Sequence, residues 1–277
     1  MKTVLLPNGT RVPALGLGTW NMGDDRAARA EEIAALQLGI ERGLTLIDTA
    51  EMYGDGRAES LVGEAIAGRR DAVFLVSKVL PNHASKRGTL AACEASLKRL
   101  KTDRLDLYLL HWSGGVPFSE TLEALVQLQR AGKIRYYGVS NLDAAESREW
   151  WGCAGGAGTA TNQLLYNLTH RGIEWDLLPW LRTRHVPVMA YSTLEQARLL
   201  KQKPLDDFAQ HHGMTPAQAA LAWLLANDDV IAIPKTGRRA RVEEFAAALD
   251  MRLDATQHAE LDRLYPPPAG PRPLEML

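Results

Sequence analysis

The chain alternates short apolar runs with segments of helical spacing, and eight such runs follow one another along its length. Short apolar runs bounded by glycine or polar residues are typical of buried strands. The segments between them, such as 28–43 and 118–133, have the composition and end signals of helices. Regular alternation favours a parallel sheet whose strands are joined by crossover helices. The predicted strands are 15–20, 45–50, 73–79, 105–112, 135–141, 160–167, 186–192 and 230–236.

Eight strand–helix units in 277 residues match a (β/α)8 TIM barrel, a fold of about 250 residues. The competing architecture is an open, doubly wound sheet, which normally carries a glycine fingerprint after its first strand. Gly16 and Gly18 do not continue into that fingerprint, so we interpret them as strand and turn residues. We therefore predict a single (β/α)8 barrel domain over residues 1–277.

Both ends of the chain carry signals of their own. The segment TVLLPNGTRVPA has a turn signal at Asn8-Gly9, which predicts an N-terminal hairpin covering the bottom of the barrel. The tail at 265–277 contains too many prolines for a helix, so we predict a loop over the mouth of the barrel.

Composition narrows the class of partner. The net charge of -1 gives no sign of binding to nucleic acid or to an anionic membrane. No apolar run approaches the roughly 18 to 20 residues that cross a bilayer, and the N-terminal run is too short for a signal peptide. Cys93 and Cys153 have no metal-like spacing, which favours a reducing compartment. We expect a cytoplasmic protein without a metal that acts on a small molecule.

Polar residues end several of the predicted strands, where barrels of this class place their chemistry. Three consecutive strands end near Asp48, Lys78 and His111, and Tyr53 follows the first of these. Each residue alone has an ordinary structural explanation, because the ends of elements are polar by default. Adjacent strands, however, would bring all of them to one mouth.

Together these four side chains support a specific chemistry. A phenol has a pKa of about 10, and a nearby ammonium group lowers it. We expect Lys78 to act in this way on Tyr53, with Asp48 keeping the lysine charged. His111 could then donate a hydrogen bond to a substrate oxygen. Such a set is a general acid for an oxygen that gains negative charge, as in hydride addition to a carbonyl.

The segments GLTLIDTAEMYG, VSKV and LYLLHW are similar to signature segments of the aldo-keto reductases, and the resemblance covers nearly the whole chain. It implies a (β/α)8 barrel, the catalytic tetrad Asp48, Tyr53, Lys78 and His111, and NADPH/NADP+ as cofactor. It also implies a monomer. AEMYGDG, SKVLPNHAS and the final RPLEML resemble the bacterial members that reduce methylglyoxal and related aldehydes.

The resemblance further implies which residues hold the cofactor. Those for the nicotinamide are Ser140, Asn141, Gln163 and Tyr191, those beside the pyrophosphate are Ser192 and Leu194, and those for the adenosine end are Lys235, Thr236, Arg241 and Glu244. Two positions depart from the family pattern. Thr193 replaces a proline that would stiffen the pyrophosphate loop, and Phe245 replaces an asparagine beside the adenine.

Charge gives independent support for the adenosine end. Four basic residues crowd the segment after the last strand, where barrels often bind phosphate. Arginine suits a phosphate through bidentate contacts, which favours NADPH over NADH. A solvated basic surface is the alternative explanation of this cluster. The four residues are Lys235, Arg238, Arg239 and Arg241.

We predict that Trp20, Met22 and Trp112 wall an apolar pocket for a small carbonyl compound, although large aromatics also occur in ordinary cores. The predicted function is NADPH-dependent reduction of small aldehydes and α-dicarbonyls. One alternative is a nucleotide-binding regulatory protein on the same scaffold with slow turnover. Another is a barrel isomerase acting on sugar phosphates, in which the residues assigned to the nicotinamide would have no role.

Overall fold

The computed structural model describes residues 2–277 and arranges eight parallel strands in their order along the chain. Each predicted barrel strand is present, and most are shorter than predicted. The strands are β1 (Thr3–Leu5), β2 (Arg11–Pro13), β3 (Leu17–Gly18), β4 (Leu46–Asp48), β5 (Phe74–Val79), β6 (Leu105–Leu110), β7 (Ile134–Ser140), β8 (Asn162–Leu165), β9 (Val188–Tyr191) and β10 (Val230–Ala232).

Helices separate the barrel strands, as the alternating pattern predicted. Capping boxes begin three of them, at Asp143, Thr215 and Asp254, each with its partner three residues later. The helices are α1 (Arg29–Glu41), α2 (Arg57–Ala65), α3 (Lys86–Leu100), α4 (Phe118–Arg130), α5 (Ala144–Gly152), α6 (Leu177–Arg182), α7 (Lys203–His211), α8 (Pro216–Leu225), α9 (Arg239–Ala247) and α10 (Ala255–Leu264). None of the helices in residues 2–277 combines the length and apolar character that a membrane crossing requires.

The first and last strands of the sheet meet and close the barrel. Parallel bridges join Leu15 to Ala232 and Gly18 to Lys235. The Gly16 amide donates to the Ala232 carbonyl at 2.9 Å. On its other side a Cβ at Gly16 would lie 2.5 Å from the carbonyl oxygen of Leu46 on β4, so only glycine fits at this position. Closure confirms the (β/α)8 barrel over the open, doubly wound sheet.

The N-terminal hairpin covers the amino end of the barrel. β1 pairs antiparallel with β2, and the chain reverses over residues 6–10, a longer loop than the two-residue turn that Asn8-Gly9 predicted. The hydroxyl groups of Thr10 and Tyr136 lie 2.8 Å apart, which places the hairpin under the start of β7. The predicted cover at the bottom of the barrel is therefore confirmed.

The C-terminal tail lies at the opposite end of the barrel. Residues 265–277 form neither helix nor strand. Glu275 approaches His170, which follows β8, at 3.1 Å. Burial raises the pKa of the Tyr191 phenol to about 12, and a hydrogen bond with the Leu277 backbone opposes this effect. The last residue of the tail therefore lies beside Tyr191. The predicted loop over the mouth is therefore confirmed.

Both faces of the barrel sheet are buried, since helices cover its outer face. All six residues of β6 are buried, including Asp106. Arg70 and Arg135 pair with this carboxylate, at 2.8 and 3.1 Å. The charge is therefore compensated within the fold, and it lies on the strand well before the carboxyl end where His111 follows.

Candidate active site

Strand register brings three polar residues to the same side of the sheet. Asp48 on β4 pairs with Val76 on β5, and Lys78 lies two residues beyond Val76. Lys78 in turn pairs with Leu109 on β6, and His111 lies two residues beyond Leu109. Because side chains alternate along a strand, each step of two keeps the side chain on one face. Asp48, Lys78 and His111 therefore gather at the mouth of the barrel, as the sequence predicted.

Lys78 is the centre of this group. Its Nζ lies 2.8 Å from both carboxylate oxygens of Asp48, 2.9 Å from the Thr49 carbonyl oxygen and 3.2 Å from the Tyr53 hydroxyl. Burial alone would lower the pKa of Lys78, but the charge of Asp48 and the contact with Tyr53 outweigh it and raise the pKa. The lysine therefore keeps its charge inside the barrel, as expected.

The acidity of Tyr53 differs from the expectation. Burial raises the pKa of this phenol, the charge of Asp48 adds to that effect, and the attraction of Lys78 opposes it without reversing it. The lysine therefore acts in the predicted direction, but the predicted net lowering is wrong because desolvation of the phenolate is the larger effect. Tyr53 consequently holds its proton at neutral pH.

His111 is neutral. Burial, followed by the positive charge of Lys78, lowers the pKa of its imidazole to about 2. Its Nδ1 is buried and has no hydrogen-bond partner within residues 2–277. The ring packs edge-on against Tyr53, with ring centres 5.9 Å apart, and lies 4.7 Å from the ring of Trp112. A neutral imidazole carries one N–H, so it can donate a hydrogen bond beside the Tyr53 hydroxyl.

The residues assigned to the nicotinamide surround this group. Gln163 on β8 donates from Nε2 to Asp48 Oδ1 at 2.8 Å, and the Ser140 hydroxyl on β7 donates to the Gln163 carbonyl oxygen at 3.0 Å. Tyr191 on β9 donates to Asn141 Oδ1 at 3.0 Å. The structure thus connects this set directly to the tetrad through Gln163 and Asp48.

Residues 192–198, which we call the β9 loop, follow directly after Tyr191. Leu194 is buried. The hydroxyl oxygens of Ser192 and Thr193 are buried and unpaired within the described residues. Hydroxyl groups without a partner are suited to donate to phosphate oxygens. Four residues of this loop have left-handed backbone conformations, namely Ser192, Glu195, Gln196 and Ala197.

The basic cluster follows β10. Lys235 is exposed and makes no ion pair with another group in residues 2–277. Thr236 is buried, and its hydroxyl oxygen accepts from the Arg238 amide at 3.2 Å. Arg239 pairs with Glu31 of α1 at 3.2 Å. Arg238 is likewise exposed and without an ion pair in residues 2–277, so Lys235 and Arg238 are the residues of the cluster most available to an anionic ligand.

Arg241 and Glu244 contact each other rather than an open site. Arg241 donates to Glu244 at 2.5 Å, and Glu244 also accepts from the Thr215 hydroxyl at 2.6 Å. A phosphate at Arg241 would have to compete with this carboxylate. Phe245 is 2% exposed and packs in the core, so its side chain points away from any adenine.

Of the three side chains predicted to wall the pocket, two are accessible in the structure and one is not. Trp20 is 44% exposed and Trp112 is half-buried against His111, so both are placed to meet a ligand. Met22 is completely buried in the core and offers no surface to a pocket. A turn in which the Met22 amide donates to the Thr19 carbonyl oxygen at 2.9 Å brings it inside.

One candidate wall was missed. Met52, next to Tyr53 in the chain, is 36% exposed. The signal available in the sequence was its place inside the segment that carries Tyr53.

No group of three or more His, Cys, Asp or Glu side chains in residues 2–277 is arranged to hold a metal ion.

Comparison with known proteins gives consistent matches. Residues 14–266 match the model of the Aldo/keto reductase family. The chain is 51% identical to methylglyoxal reductase YeaE of Escherichia coli K12, with 100% of this chain and 99% of that protein covered. It is 33% identical to a glyoxal reductase of Bacillus subtilis, with 99% and 97% covered. A solved Klebsiella pneumoniae aldo/keto reductase in complex with NADP and acetate has a TM-score of 0.97 and 52% identity, with 100% and 99% covered.

Proposed function

The chain belongs to the aldo/keto reductase family, and we propose that it reduces small aldehydes and α-dicarbonyls such as methylglyoxal, with NADPH as the donor. The observation that carries this proposal is the buried chain of contacts from Asp48 through Lys78 to Tyr53, with a neutral His111 beside the phenol. The names of the relatives from Escherichia coli and Bacillus subtilis support the substrate class.

The residues on the β7 to β10 side of the mouth fit a phosphorylated dinucleotide. Ser140, Asn141, Gln163 and Tyr191 would hold the nicotinamide. Two buried, unpaired hydroxyl groups in the β9 loop and the unpaired Lys235 offer donors for phosphate oxygens. Bound NADPH would supply the hydride that adds to the carbonyl carbon.

Tyr53 is the proposed proton donor. As the carbonyl oxygen gains negative charge, it takes the phenolic proton, so that one hydride on carbon and one proton on oxygen give the alcohol. The raised pKa of Tyr53 suits this order of events, because the phenol keeps its proton until a strongly basic oxygen forms. Lys78 stabilises the phenolate that remains, and Asp48 keeps Lys78 charged.

His111 would orient the substrate. A neutral imidazole cannot take the place of Tyr53 as the acid, since loss of its N–H proton would leave an imidazolate anion in a buried site. Donation from its N–H to the carbonyl oxygen would hold that oxygen near the phenol and stabilise its developing charge. The low pKa means that this role does not change across the ordinary range of pH.

The substrate should be small and activated. Trp112 packs against His111, and the exposed Trp20 follows β3 at the same end of the barrel, so we expect an apolar approach to the phenol. An adjacent carbonyl group withdraws electrons and lowers the barrier to hydride attack, which favours methylglyoxal over glucose or an unactivated ketone. We expect kcat/KM, followed by loss of NADPH absorbance, to be higher for methylglyoxal than for either of the other two.

The variant Tyr53→Phe tests the mechanism. It removes the proton donor and keeps the ring, so turnover should fall by about a hundred- to ten-thousandfold while NADPH binding stays near normal. Tyr137→Phe is a matched control, since it removes a hydroxyl that donates to the Gly155 carbonyl oxygen away from the tetrad. Normal turnover in Tyr53→Phe would remove the phenol from this role. Binding of NADPH without turnover of any carbonyl compound would instead favour the regulatory alternative.

A further inference from the structure

Two side-chain hydrogen bonds tie β8 to β9, one at each end of the strand pair. At the amino end the Thr161 hydroxyl donates to the Pro187 carbonyl oxygen at 2.7 Å. At the carboxyl end Asn167 donates from Nδ2 to the Ser192 carbonyl oxygen at 2.8 Å. The first bond lies at the bottom of the barrel. The second holds the first residue of the β9 loop.

The orientation of the Asn167 carboxamide is determined by its surroundings. Asn167 is completely buried. Its Oδ1 accepts from the Thr169 amide at 2.9 Å, the His170 amide at 3.0 Å and the Thr169 hydroxyl at 2.8 Å. Only an oxygen can accept from two backbone N–H groups, so the nitrogen must face the β9 loop. There it also lies 3.4 Å from Glu195 Oε2.

The β9 loop needs such support. Its left-handed residues are not glycines, and each such conformation persists only where the surrounding structure holds it. The Ser192 carbonyl oxygen accepts from the Glu195 amide at 2.9 Å as well as from Asn167. Glu195 is 7% exposed, and its carboxylate is held by His170 at 3.1 Å and by Arg198 at 2.5 Å. Asn167 is thus the buried donor that faces both the Ser192 carbonyl oxygen and the Glu195 carboxylate of this turn.

We propose that Asn167 is a positioning residue for the cofactor, an inference that rests on the proposed function. Asn167 holds the β9 loop in the conformation that presents the Ser192 and Thr193 hydroxyls to the pyrophosphate of NADPH. By holding the loop in this conformation, Asn167 lowers the cost of ordering it when NADPH binds, and the affinity is higher for that reason. The side chain acts through Ser192 and Glu195 rather than by touching the cofactor.

The isosteric variant Asn167→Asp tests this inference. It keeps an oxygen for the Thr169 and His170 amides but turns a carboxylate oxygen, in place of the donor, toward the Ser192 carbonyl and the Glu195 carboxylate. The dissociation constant of NADPH, measured by protein fluorescence, should rise about ten- to a hundredfold. The kcat at saturating NADPH should stay within about threefold of the wild type, because the tetrad is not touched.

Thr161→Val is the matched control. It removes a buried side-chain-to-carbonyl bond between the same two strands at the far end of the barrel. We expect a lower melting temperature and an unchanged dissociation constant for NADPH. A rise as large as in Asn167→Asp would mean that loosening the strand pair anywhere weakens binding, and it would overturn the inference.

A double variant separates positioning from general destabilisation. In Asn167→Asp with Glu195→Gln, an amide can donate to the new carboxylate, so part of the NADPH affinity should return beyond the sum of the single effects. An Asn167→Asp variant that binds NADPH as the wild type does would overturn the inference. A wild-type protein that fails to bind NADPH would overturn the proposed function itself, and the inference with it.

Discussion

Lys78 Nζ lies 2.8 Å from both carboxylate oxygens of Asp48, and the two side chains are only 0% and 3% exposed to solvent. In most of the protein, ion pairs lie at the surface and contribute little to stability. This pair is different because neither charge could be hydrated if its partner were removed. The same pair that keeps Lys78 charged beside Tyr53 therefore also contributes to the stability of the barrel.

Removing one member of the pair should therefore destabilise the fold. We expect Asp48→Asn to lower the free energy of unfolding by about 3 to 5 kcal/mol, since it leaves a buried ammonium without its counter-charge. Adding Lys78→Met should restore part of the loss. Urea unfolding measures both effects, and Lys203→Met, which breaks an exposed pair with Asp207, should change little. A loss in Asp48→Asn no larger than in that control would contradict the prediction.

Cofactor preference should depend on the basic cluster after β10. Replacing Lys235 and Arg241 with methionine should weaken NADPH strongly and NADH little, since charge-assisted hydrogen bonds contribute roughly 1.5 to 3 kcal/mol each. Lys235 should contribute more, because Arg241 gives up its contact with Glu244 when it binds a phosphate. Arg42→Met, which breaks a pair with Glu243 on α9, serves as the control for dissociation constants measured by titration. Equal weakening of the two cofactors would show that the cluster is only a solvated surface.

Trp20 and Met22 should respond differently to truncation. Met22→Ala should lower the free energy of unfolding by about 2 to 5 kcal/mol, the usual effect of a cavity in a packed core. Trp20→Ala should raise the KM for small carbonyl compounds with a much smaller loss of stability. Chemical denaturation and steady-state kinetics on both variants provide the measurements. A stable Met22→Ala protein with altered substrate preference would return Met22 to the pocket wall.

The buried imidazole of His111 should make stability depend on pH. Its pKa in the folded protein is about 2, against 6.5 for a free histidine. Between these values the unfolded chain binds a proton that the folded protein does not, so the free energy of unfolding falls as the pH drops below about 6.5. The full slope is about 1.4 kcal/mol per pH unit.

His111→Gln should remove this part of the pH dependence. Between pH 6 and pH 5 the wild type should lose about 1 kcal/mol more stability than the variant, as urea unfolding at the two pH values would show. Above pH 7 the difference between the two proteins should not change with pH. Parallel curves at all pH values would mean that the folded protein protonates His111 as readily as the unfolded chain.

Much of the fold and of the site was predictable from two features of the sequence: the alternation of strands with helices, and the polar residues at the ends of neighbouring strands. Alternation indicated the barrel, and the positions of Asp48, Lys78 and His111 at neighbouring strand ends indicated that they would meet. The direction of the Tyr53 pKa was not predictable, because desolvation depends on how deeply the fold buries the phenol. Loop geometry was equally hidden: no pattern distinguishes the exposed Trp20 from the buried Met22, two positions along the same turn.

Asn167 illustrates a further limit. Most of its hydrogen bonds are to backbone groups, and the turn that it holds has left-handed residues that are not glycines. Neither feature can be read from residue types in the sequence. Its role follows only from the hydrogen bonds that the fold creates around the β9 loop.

The enclosure of Lys78 also bears on chemical damage. α-Dicarbonyls modify proteins when a deprotonated amine attacks one of their carbonyl carbons and forms a Schiff base. The Lys78 nitrogen has no free lone pair, because its pKa is raised and its protons are directed to Asp48, Thr49 and Tyr53. If methylglyoxal is the substrate, the amine nearest to it is therefore among the least open to glycation, and exposed lysines such as Lys235 should be modified first.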